Sequence, residues 1–306
     1  MGFFSKDYES AGVGIAKNAP KKSGIKLFFD IFVRKFWKIM EVNLLYSIFF
    51  IPLIMAVVAF IRIDNNTASS VVAIVLFIMF AVLIGPATAG MTKVMRKYVL
   101  EKHSFIIVDF FSAFKDNFFK SAVIGFVDTL ICFSIGAGFI IYPALATQTG
   151  NNFIYVALVL SLSVAIVVTM MNFYAFLMII ATDLSLKNLL KNSFALAFVE
   201  LKKSSLTFFL MLVILFTAAF LPIRVSLTFL LVLPFFPAAF LSLIICFNCY
   251  PVVQKFVINP YYTSIGQINP ELCDDLDDED EPIFEDMGGK EKPIEKRKKG
   301  KGKRIS

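Results

Sequence analysis

Charge, histidine and cysteine are all scarce in this sequence of 306 residues. Charged residues make up 17% of the chain, which has one histidine and four cysteines. With His103 as the single histidine and no catalytic serine pattern, the usual form of a serine triad is excluded. Cys132, Cys246 and Cys249 lie in apolar segments, which excludes the loop-borne cysteine framework of a secreted disulfide scaffold.

Cys246 and Cys249 match a C-x-x-C pattern but do not lie in the sequence context of a redox or zinc site. A redox pair of this kind follows a strand at a helix N-terminus, whereas this pair ends a long apolar run. Zinc takes four ligands, and only Cys273 and His103 could join the pair. We therefore interpret both cysteines as packing residues. Because paired carboxylates and nucleotide loops are also missing, we predict no enzyme, no catalytic residue, no cofactor and no metal site.

Apolar residues are abundant instead, at 58% of the chain, and phenylalanine alone occurs 36 times. Soluble domains contain about 45–50% apolar residues, and an apolar run of about 18 residues or more is typical of a helix that crosses a bilayer. We predict an all-α polytopic membrane bundle. Its six transmembrane helices are expected at residues 44–61, 69–89, 121–146, 153–182, 206–222 and 225–249.

Lysine and arginine are distributed unevenly between alternate connections. Residues 1–43, 90–120, 183–205 and 251–306 contain 28 of the 30, and the other connections contain only Arg62 and Arg224. Loops rich in lysine and arginine stay on the cytoplasmic side of a membrane. This asymmetry predicts that both termini and the two long loops are cytoplasmic.

A Phe-x-x-x-Phe pattern recurs before the first, third and fifth predicted spans. Two phenylalanines four residues apart share one face of a helix. The pattern predicts three units, each an interfacial helix followed by a transmembrane hairpin; the alternative is chance similarity in a phenylalanine-rich chain. The pairs, each with the small polar residue seven positions further on, are Phe32 and Phe36 with Asn43, Phe110 and Phe114 with Ser121, and Phe194 and Phe198 with Ser205.

Composition divides the chain into a polar cytoplasmic segment at 1–26, the six-span membrane domain at 27–260 and a cytoplasmic tail at 261–306. Residues 273–286 of the tail contain nine acids, and residues 290–304 contain nine cations. Such blocks cannot bury apolar surface, so we predict a disordered tail. Because it is tethered to the membrane, its basic end is expected to meet anionic lipid headgroups and not nucleic acid.

The stretch GPATAGMTKVMRK at residues 85–97 admits two interpretations. Gly85 and Gly90 have the spacing of a phosphate-binding P-loop, but Met91 stands where that motif requires lysine. A long apolar run precedes the stretch, whereas a P-loop follows a strand. We therefore predict the end of a membrane helix.

In the helix interpretation, Gly85 and Ala89 form a face of small residues for close helix packing. Pro86 removes one backbone donor and is expected to kink the helix. Arg96 and the lysines on either side of it are expected to meet the lipid headgroups.

Asp128 is a carboxylate within the third predicted span. A charge near a helix centre costs about 2.5–3.5 kcal/mol on insertion scales, so such residues face the bundle interior or a water-filled cavity. Asn172 in the fourth span falls at a similar depth and can hydrogen-bond to it. The pair is either a proton or cation site or a hydrogen-bonded packing contact.

Three motifs together resemble the YesL-like family of Firmicutes membrane proteins. They are RKFW at 34–37, GPATA at 85–89 followed by Arg96, and the phenylalanine-rich run from Asp109 to Asn117. The resemblance covers roughly residues 1–255 and implies an integral protein of a bacterial cell membrane whose molecular activity is unassigned. Members often belong to carbohydrate-uptake gene sets, so the resemblance also implies a role beside sugar transporters.

One function is expected, with two alternatives. We expect a non-enzymatic accessory or regulatory partner of a carbohydrate ABC transporter, which contacts the permease within the membrane. The first alternative is a small-solute or ion transporter or channel that uses Asp128 and Asn172. The second is a lipid-binding structural membrane protein.

Overall fold

Every element in the described part of the chain is a helix, which confirms the all-α class. The structure is a computed structural model, and it describes residues 23–62, 66–220 and 237–271. The elements in chain order are α1 (Ile25–Ser47), a 3-10 turn (Ile48–Phe50), α2 (Ile51–Arg62), α3 (Asn66–Val99), α4 (Ile106–Asp116), α5 (Phe118–Thr149), α6 (Ile154–Ala181), α7 (Leu186–Val199), α8 (Leu201–Phe220), α9 (Pro237–Val253), a π-helix (Gln254–Ile258) and α10 (Asn259–Ser264).

Five helical stretches in the described residues are long and apolar enough to cross a membrane, which fits an integral membrane protein. The shortest have 28 residues, and a helix of that length spans about 42 Å against a hydrocarbon core of about 30 Å. The predicted fifth span ends, and the sixth begins, within residues 221–236, which lie outside the described part. The number six therefore stays a prediction. The five stretches are Ile25–Ile61, Thr67–Val99, Phe118–Thr149, Ile154–Ala181 and Pro237–Ser264.

The first unit does not consist of an interfacial helix that turns into a separate span. Ile25–Ile61 is one helical run, interrupted only by the 3-10 turn at Ile48–Phe50. Pro52 gives the physical reason for that interruption, because it has no N–H to donate back to Ile48. The other two predicted junctions are real breaks, at Asn117 between α4 and α5 and at Glu200 between α7 and α8. An arrangement of three equal units is therefore not confirmed.

Helix α3 lies at the centre of the bundle and contacts α1, α2, α4, α5, α6 and α9. Its first half is largely exposed, whereas its second half is buried from Ala87 to Tyr98 apart from a few partly exposed side chains. Helix α6 shows the same gradient, since residues 173–179 at its end are all buried. The packed core is therefore concentrated at one end of the bundle, which we call the Arg96 end.

Asn43 links the first and last long helices of the described chain. Its side-chain oxygen accepts a hydrogen bond of 2.9 Å from the backbone N–H of Ala239, in the first turn of α9. The first N–H groups of a helix have no partner within the helix, so Asn43 caps α9 from a distant position in the sequence. Its side chain is almost fully buried.

Candidate functional site

Gly85 lies where α3 crosses α5 with the two backbones in contact. A Cβ atom on Gly85 would lie 2.0 Å from the carbonyl oxygen of Ser121, and one on Gly125 would lie 2.5 Å from the Gly85 backbone. Crossings of this kind require small residues on both helices. Ala89 is also fully buried, and α3 continues through Pro86 without a break.

Gly90 makes a second close approach, to α4. A Cβ atom on Gly90 would lie 2.9 Å from the Phe110 carbonyl oxygen and 3.0 Å from its ring. Phe110 is fully buried, and its ring stacks on Phe49 with centroids 6.0 Å apart. The stretch from Gly85 to Gly90 therefore positions both α4 and α5 against α3.

Arg96 does not face the lipid headgroups, so that prediction was wrong. Its guanidinium pairs with the carboxylate of Glu271 and lies over the Tyr250 ring, 4.8 Å from the centroid. The Tyr250 hydroxyl and the Gln254 amide, the latter at 2.9 Å, donate to the other Glu271 oxygen. We call these four residues the Glu271 cluster.

The Glu271 carboxylate stays ionised in this cluster. Burial by itself would raise the pKa of Glu271, but the charge of Arg96 and the hydrogen bonds from Tyr250 and Gln254 outweigh burial and hold that pKa below its usual value. A buried ion pair with further hydrogen bonds is the arrangement in which a charge tolerates burial. The cluster therefore fastens the chain after α10 to the end of α3.

Glu271 lies beyond residue 260, where we expected the charged tail to begin. The described chain continues through α10, turns at Gly266 with a positive φ of 69°, and packs as far as Glu271. The Asn269 side chain shapes the last part, because it donates to Asn259 at 2.9 Å and accepts from the Glu271 N–H at 3.0 Å. Residues 272–306, including the acidic and basic blocks, lie outside the described part.

Asp109 forms a second charged contact at the Arg96 end. It accepts hydrogen bonds of 2.7 Å from Lys97 and from Ser104, and one of 3.0 Å from the N–H of Phe105 at the start of α4. Burial opposes the charge, but these donors outweigh burial and lower the pKa of Asp109. Lys97, expected at the headgroups, thus holds α4 against α3. Lys93 contacts the same helix through Ser112, at 3.0 Å.

Asp128 and Asn172 are brought together, as their depths in the two spans suggested. The Asn172 amide donates to the Asp128 carboxylate at 2.7 Å and joins α5 to α6. The Asn172 side-chain oxygen is buried and accepts no hydrogen bond from any residue that the structure describes. The pair therefore has an unused acceptor beside a carboxylate, an arrangement that suits a proton or a cation.

The six phenylalanines of the predicted interfacial faces do not share one environment. Phe110 is fully buried, Phe194 and Phe198 are half exposed, and Phe32, Phe36 and Phe114 are intermediate. The three blocks therefore differ in how far their phenylalanines are exposed, and their position at the membrane interface stays a prediction.

A shift of one residue explains the difference between the second and third blocks. Helix α4 ends at Asn117, and the Ser121 hydroxyl donates to the Asn117 carbonyl. Helix α7 ends at Glu200, and it is Ser204, not Ser205, whose hydroxyl donates to the Glu200 carbonyl. A shift of one residue rotates a helix face by about 100°, which turns Phe194 outward where Phe110 points inward.

The cysteines and metal-ligating side chains form no metal site in the described residues. Cys246 and Cys249 are free and fully buried. Their sulfur atoms lie 3.9 Å from the Thr92 carbonyl and 3.8 Å from the Thr207 hydroxyl. This environment is that of small packing residues.

One signal in the sequence could have located Glu271. Asn269, Pro270 and Glu271 follow the pattern of a helix start, with asparagine as the cap, proline at the first helical position and an acid after it. That pattern indicates ordered structure inside the segment that we assigned to the tail. Nothing comparable in the sequence pairs Glu271 with Arg96.

Part of the chain matches a known protein family. Residues 66–139 match the family model described as "Protein of unknown function, DUF624", a family known in bacterial membrane proteins. No curated protein and no solved structure matches the chain. The matched region contains the glycine crossing, Arg96, Asp109 and Asp128 and stops before Asn172 and Glu271. The chain is thus similar over α3, α4 and much of α5 to a family of bacterial membrane proteins whose function is unknown, and the finer YesL-like resemblance stays a prediction.

Proposed function

We propose that this chain is a non-enzymatic accessory or regulatory membrane protein that docks onto another membrane protein. The proposed partner is the permease of a carbohydrate ABC transporter. Support for the partner comes from the resemblance of the sequence to YesL-like proteins. Support for docking comes from the outer face of α7.

The outer face of α7 combines aromatic anchors with positive charge. Phe194 and Phe198 are each 50% exposed, and their ring centroids lie 4.9 Å apart. Lys191 and Lys187 are exposed on the same side, one and two turns before Phe194. Exposed aromatic pairs beside a charged rim are characteristic of residues that dominate binding energy in protein interfaces.

The inner face of α7 shows that this exposure is not caused by poor packing. Leu189, Ser193, Leu196 and Ala197 are all buried against the bundle, and α7 contacts both α6 and α8. The helix is therefore held in a defined rotation, which keeps its phenylalanines outward. A fixed helix with an exposed aromatic pair can bind a partner without first being ordered.

Affinity purification from native membranes tests this proposal. The tagged chain is crosslinked briefly, extracted in mild detergent and analysed by mass spectrometry for companions. We expect a sugar-transporter permease that a control membrane protein does not recover. The double variant Phe194→Ala with Phe198→Ala should reduce its recovery several-fold.

A matched control is the double variant Phe139→Ala with Phe153→Ala. Both of these phenylalanines are also exposed but lie away from α7, in and just after α5. This variant should recover the permease as well as the unmodified chain does. Recovery of the chain alone, or equal losses in both double variants, would count against docking through α7.

Transport through the Asp128 and Asn172 pair is the second candidate function. It is favoured by the 2.7 Å hydrogen bond inside the apolar bundle and by the unused Asn172 oxygen. Asp128→Asn should abolish solute or ion flux in reconstituted vesicles, while Asp183→Asn, at an exposed position between α6 and α7, should leave it unchanged. Flux that survives Asp128→Asn, or no flux in the unmodified protein, removes this candidate.

A further inference from the structure

The Glu271 cluster gathers three hydrogen-bond donors around one carboxylate, and docking through α7 does not use them. Arg96 comes from α3, Tyr250 from α9 and Gln254 from the π-helix that follows α9. Tyr250 is only 1% exposed and lies in the core to which these helices contribute. Short π-helical segments occur frequently at functional sites.

The acceptor follows an exposed part of the chain, since residues 263–268, from the end of α10 up to Asn269, are all exposed. Glu271 follows the short helix α10 and the positive-φ turn at Gly266. The Asn269 side chain forms two hydrogen bonds within this segment. It donates to Asn259 and accepts from the backbone N–H of Glu271. If the segment lifts away, the three donors remain in place on packed helices.

Arg96 also keeps a donor that Glu271 does not use. The Arg96 Nε atom is buried and donates to no group among the described residues. A guanidinium presents its N–H groups as a planar fork, and a carboxylate can bind to two of them in parallel. Glu271 takes one guanidinium nitrogen with Oε1 while its Oε2 accepts from Tyr250 and Gln254. A carboxylate that approached side-on would satisfy Nε as well.

We propose that Arg96, Tyr250 and Gln254 form a carboxylate-binding site in which Glu271 is the resident and displaceable ligand. One cation with neutral donors balances a single negative charge, whereas a phosphate dianion would leave excess buried charge. The incoming carboxylate belongs either to a small organic acid or to an acidic side chain of a partner protein. This site does not depend on docking through α7.

Chemical rescue of Glu271→Ala tests the site in the full-length protein. The variant removes the resident carboxylate and keeps the donors, so its melting temperature in detergent should fall. Sodium acetate should then raise that temperature in a saturable way, while sodium chloride at equal ionic strength should not. The control combines Glu271→Ala with Arg96→Ala and should show no acetate-dependent rise.

A short glutamate-containing peptide replaces acetate in the second arm of this experiment. A rise with acetate indicates a small acid, and a rise with the peptide alone indicates an acidic side chain of a protein. Equal rises in the single and double variants, or no rise in either arm, would overturn the proposal.

A spin label on Gln267→Cys, an exposed position shortly before Glu271, tests displacement while Glu271 is kept. Cys132 and Cys273 are replaced by alanine, and Cys246 and Cys249 are buried and do not label. Acetate should mobilise the label with a saturable dose dependence, and Arg96→Leu should mobilise it without acetate. A label whose spectrum does not change with acetate would show that Glu271 is not displaceable.

Discussion

Two neighbouring cations of α3 hold different parts of the chain. Arg96 fastens the segment after α10 through Glu271, and Lys97 fastens α4 through Asp109. Of the two pairs, Arg96 with Glu271 is the more buried, and removing one partner of a buried ion pair costs about 3–5 kcal/mol because the other charge stays buried without compensation. Individual side chains at the Arg96 end therefore control the position of whole elements.

Asp109→Asn should destabilise the protein in a pH-dependent way. The folded-state pKa of Asp109 is lowered, so its carboxylate stabilises the fold above the unfolded pKa of about 3.9 and loses that effect as pH falls through the lower folded value. At neutral pH the variant should lose roughly 1.5–3 kcal/mol, the usual contribution of hydrogen bonds to a charged group. Thermal unfolding in detergent at several pH values measures this.

The control for this prediction is Asp183→Asn, an exposed acid between α6 and α7. It should change stability little at any pH. The Asp109→Asn deficit should shrink once the solution is more acidic than the unfolded pKa. If the loss of stability in Asp109→Asn were the same in acid, its cause would be altered packing and not the missing charge.

The contrast between Asp128 and Arg96 shows what sequence can predict at this scale. The depths of Asp128 and Asn172 follow from helical rise in adjacent antiparallel spans, and the structure joins them. Arg96 and Glu271 are separated by 175 positions, and Glu271 immediately precedes a run of acids. The composition of the chain after residue 260 favours a solvated tail. Only tertiary packing pairs Glu271, out of all its acids, with Arg96.

At the scale of elements, the crossing of α3 and α5 is the closest approach among the glycines that the structure describes. Gly85 and Gly125 lie against each other with no room for a side chain on either. Without water to drive association, helices in a bilayer depend on such packing. The two helices therefore behave as one unit around which α4 and α6 are placed.

Gly85→Ala should separate this pair of helices. A methyl group at that position would lie 2.0 Å from the Ser121 carbonyl oxygen, and overpacking of this kind costs about 1–3 kcal/mol or more. Gly136→Ala is the matched control on α5, since nothing lies within 4 Å of a Cβ atom there. Thermal unfolding in detergent should show a loss for Gly85→Ala and no loss for Gly136→Ala. Equal behaviour of the two variants would contradict the close crossing.

Sequence predicts the helices better than the junctions between them. Long apolar runs specify α3, α5 and α6 because length and hydropathy suffice for a membrane helix. The junction after α1 was misplaced, since a small polar residue such as Asn43 does not break a helix and instead serves to cap α9. The phenylalanine repeat also aligned the second and third blocks incorrectly by one residue. A shift of one residue rotates a helix face by about 100°, and the repeat pattern does not contain the information that fixes this shift.

At the scale of the whole molecule, the charge asymmetry predicts that both termini and the two long loops are cytoplasmic, and cysteine labelling tests this topology. Single cysteines at Lys187 and Gln148, in a background without other cysteines, report the two sides of the membrane. Both positions are exposed. A membrane-impermeant maleimide should label Gln148→Cys in intact cells and Lys187→Cys only after permeabilisation. The opposite result would invert the predicted orientation.

The hydrogen bond from Ala239 to Asn43 also sets an order of events during biogenesis. The two residues are 196 positions apart, and at about 5–20 residues per second a ribosome needs roughly 10–40 s to travel between them. For that interval α1 resides in the bilayer without α9, so its inner face must be shielded by the insertion machinery or by lipid. The contact between α1 and α9 can therefore close only after all the other long helices of the described bundle have been made, and truncation before α9 should leave a chain that quality-control proteases recognise.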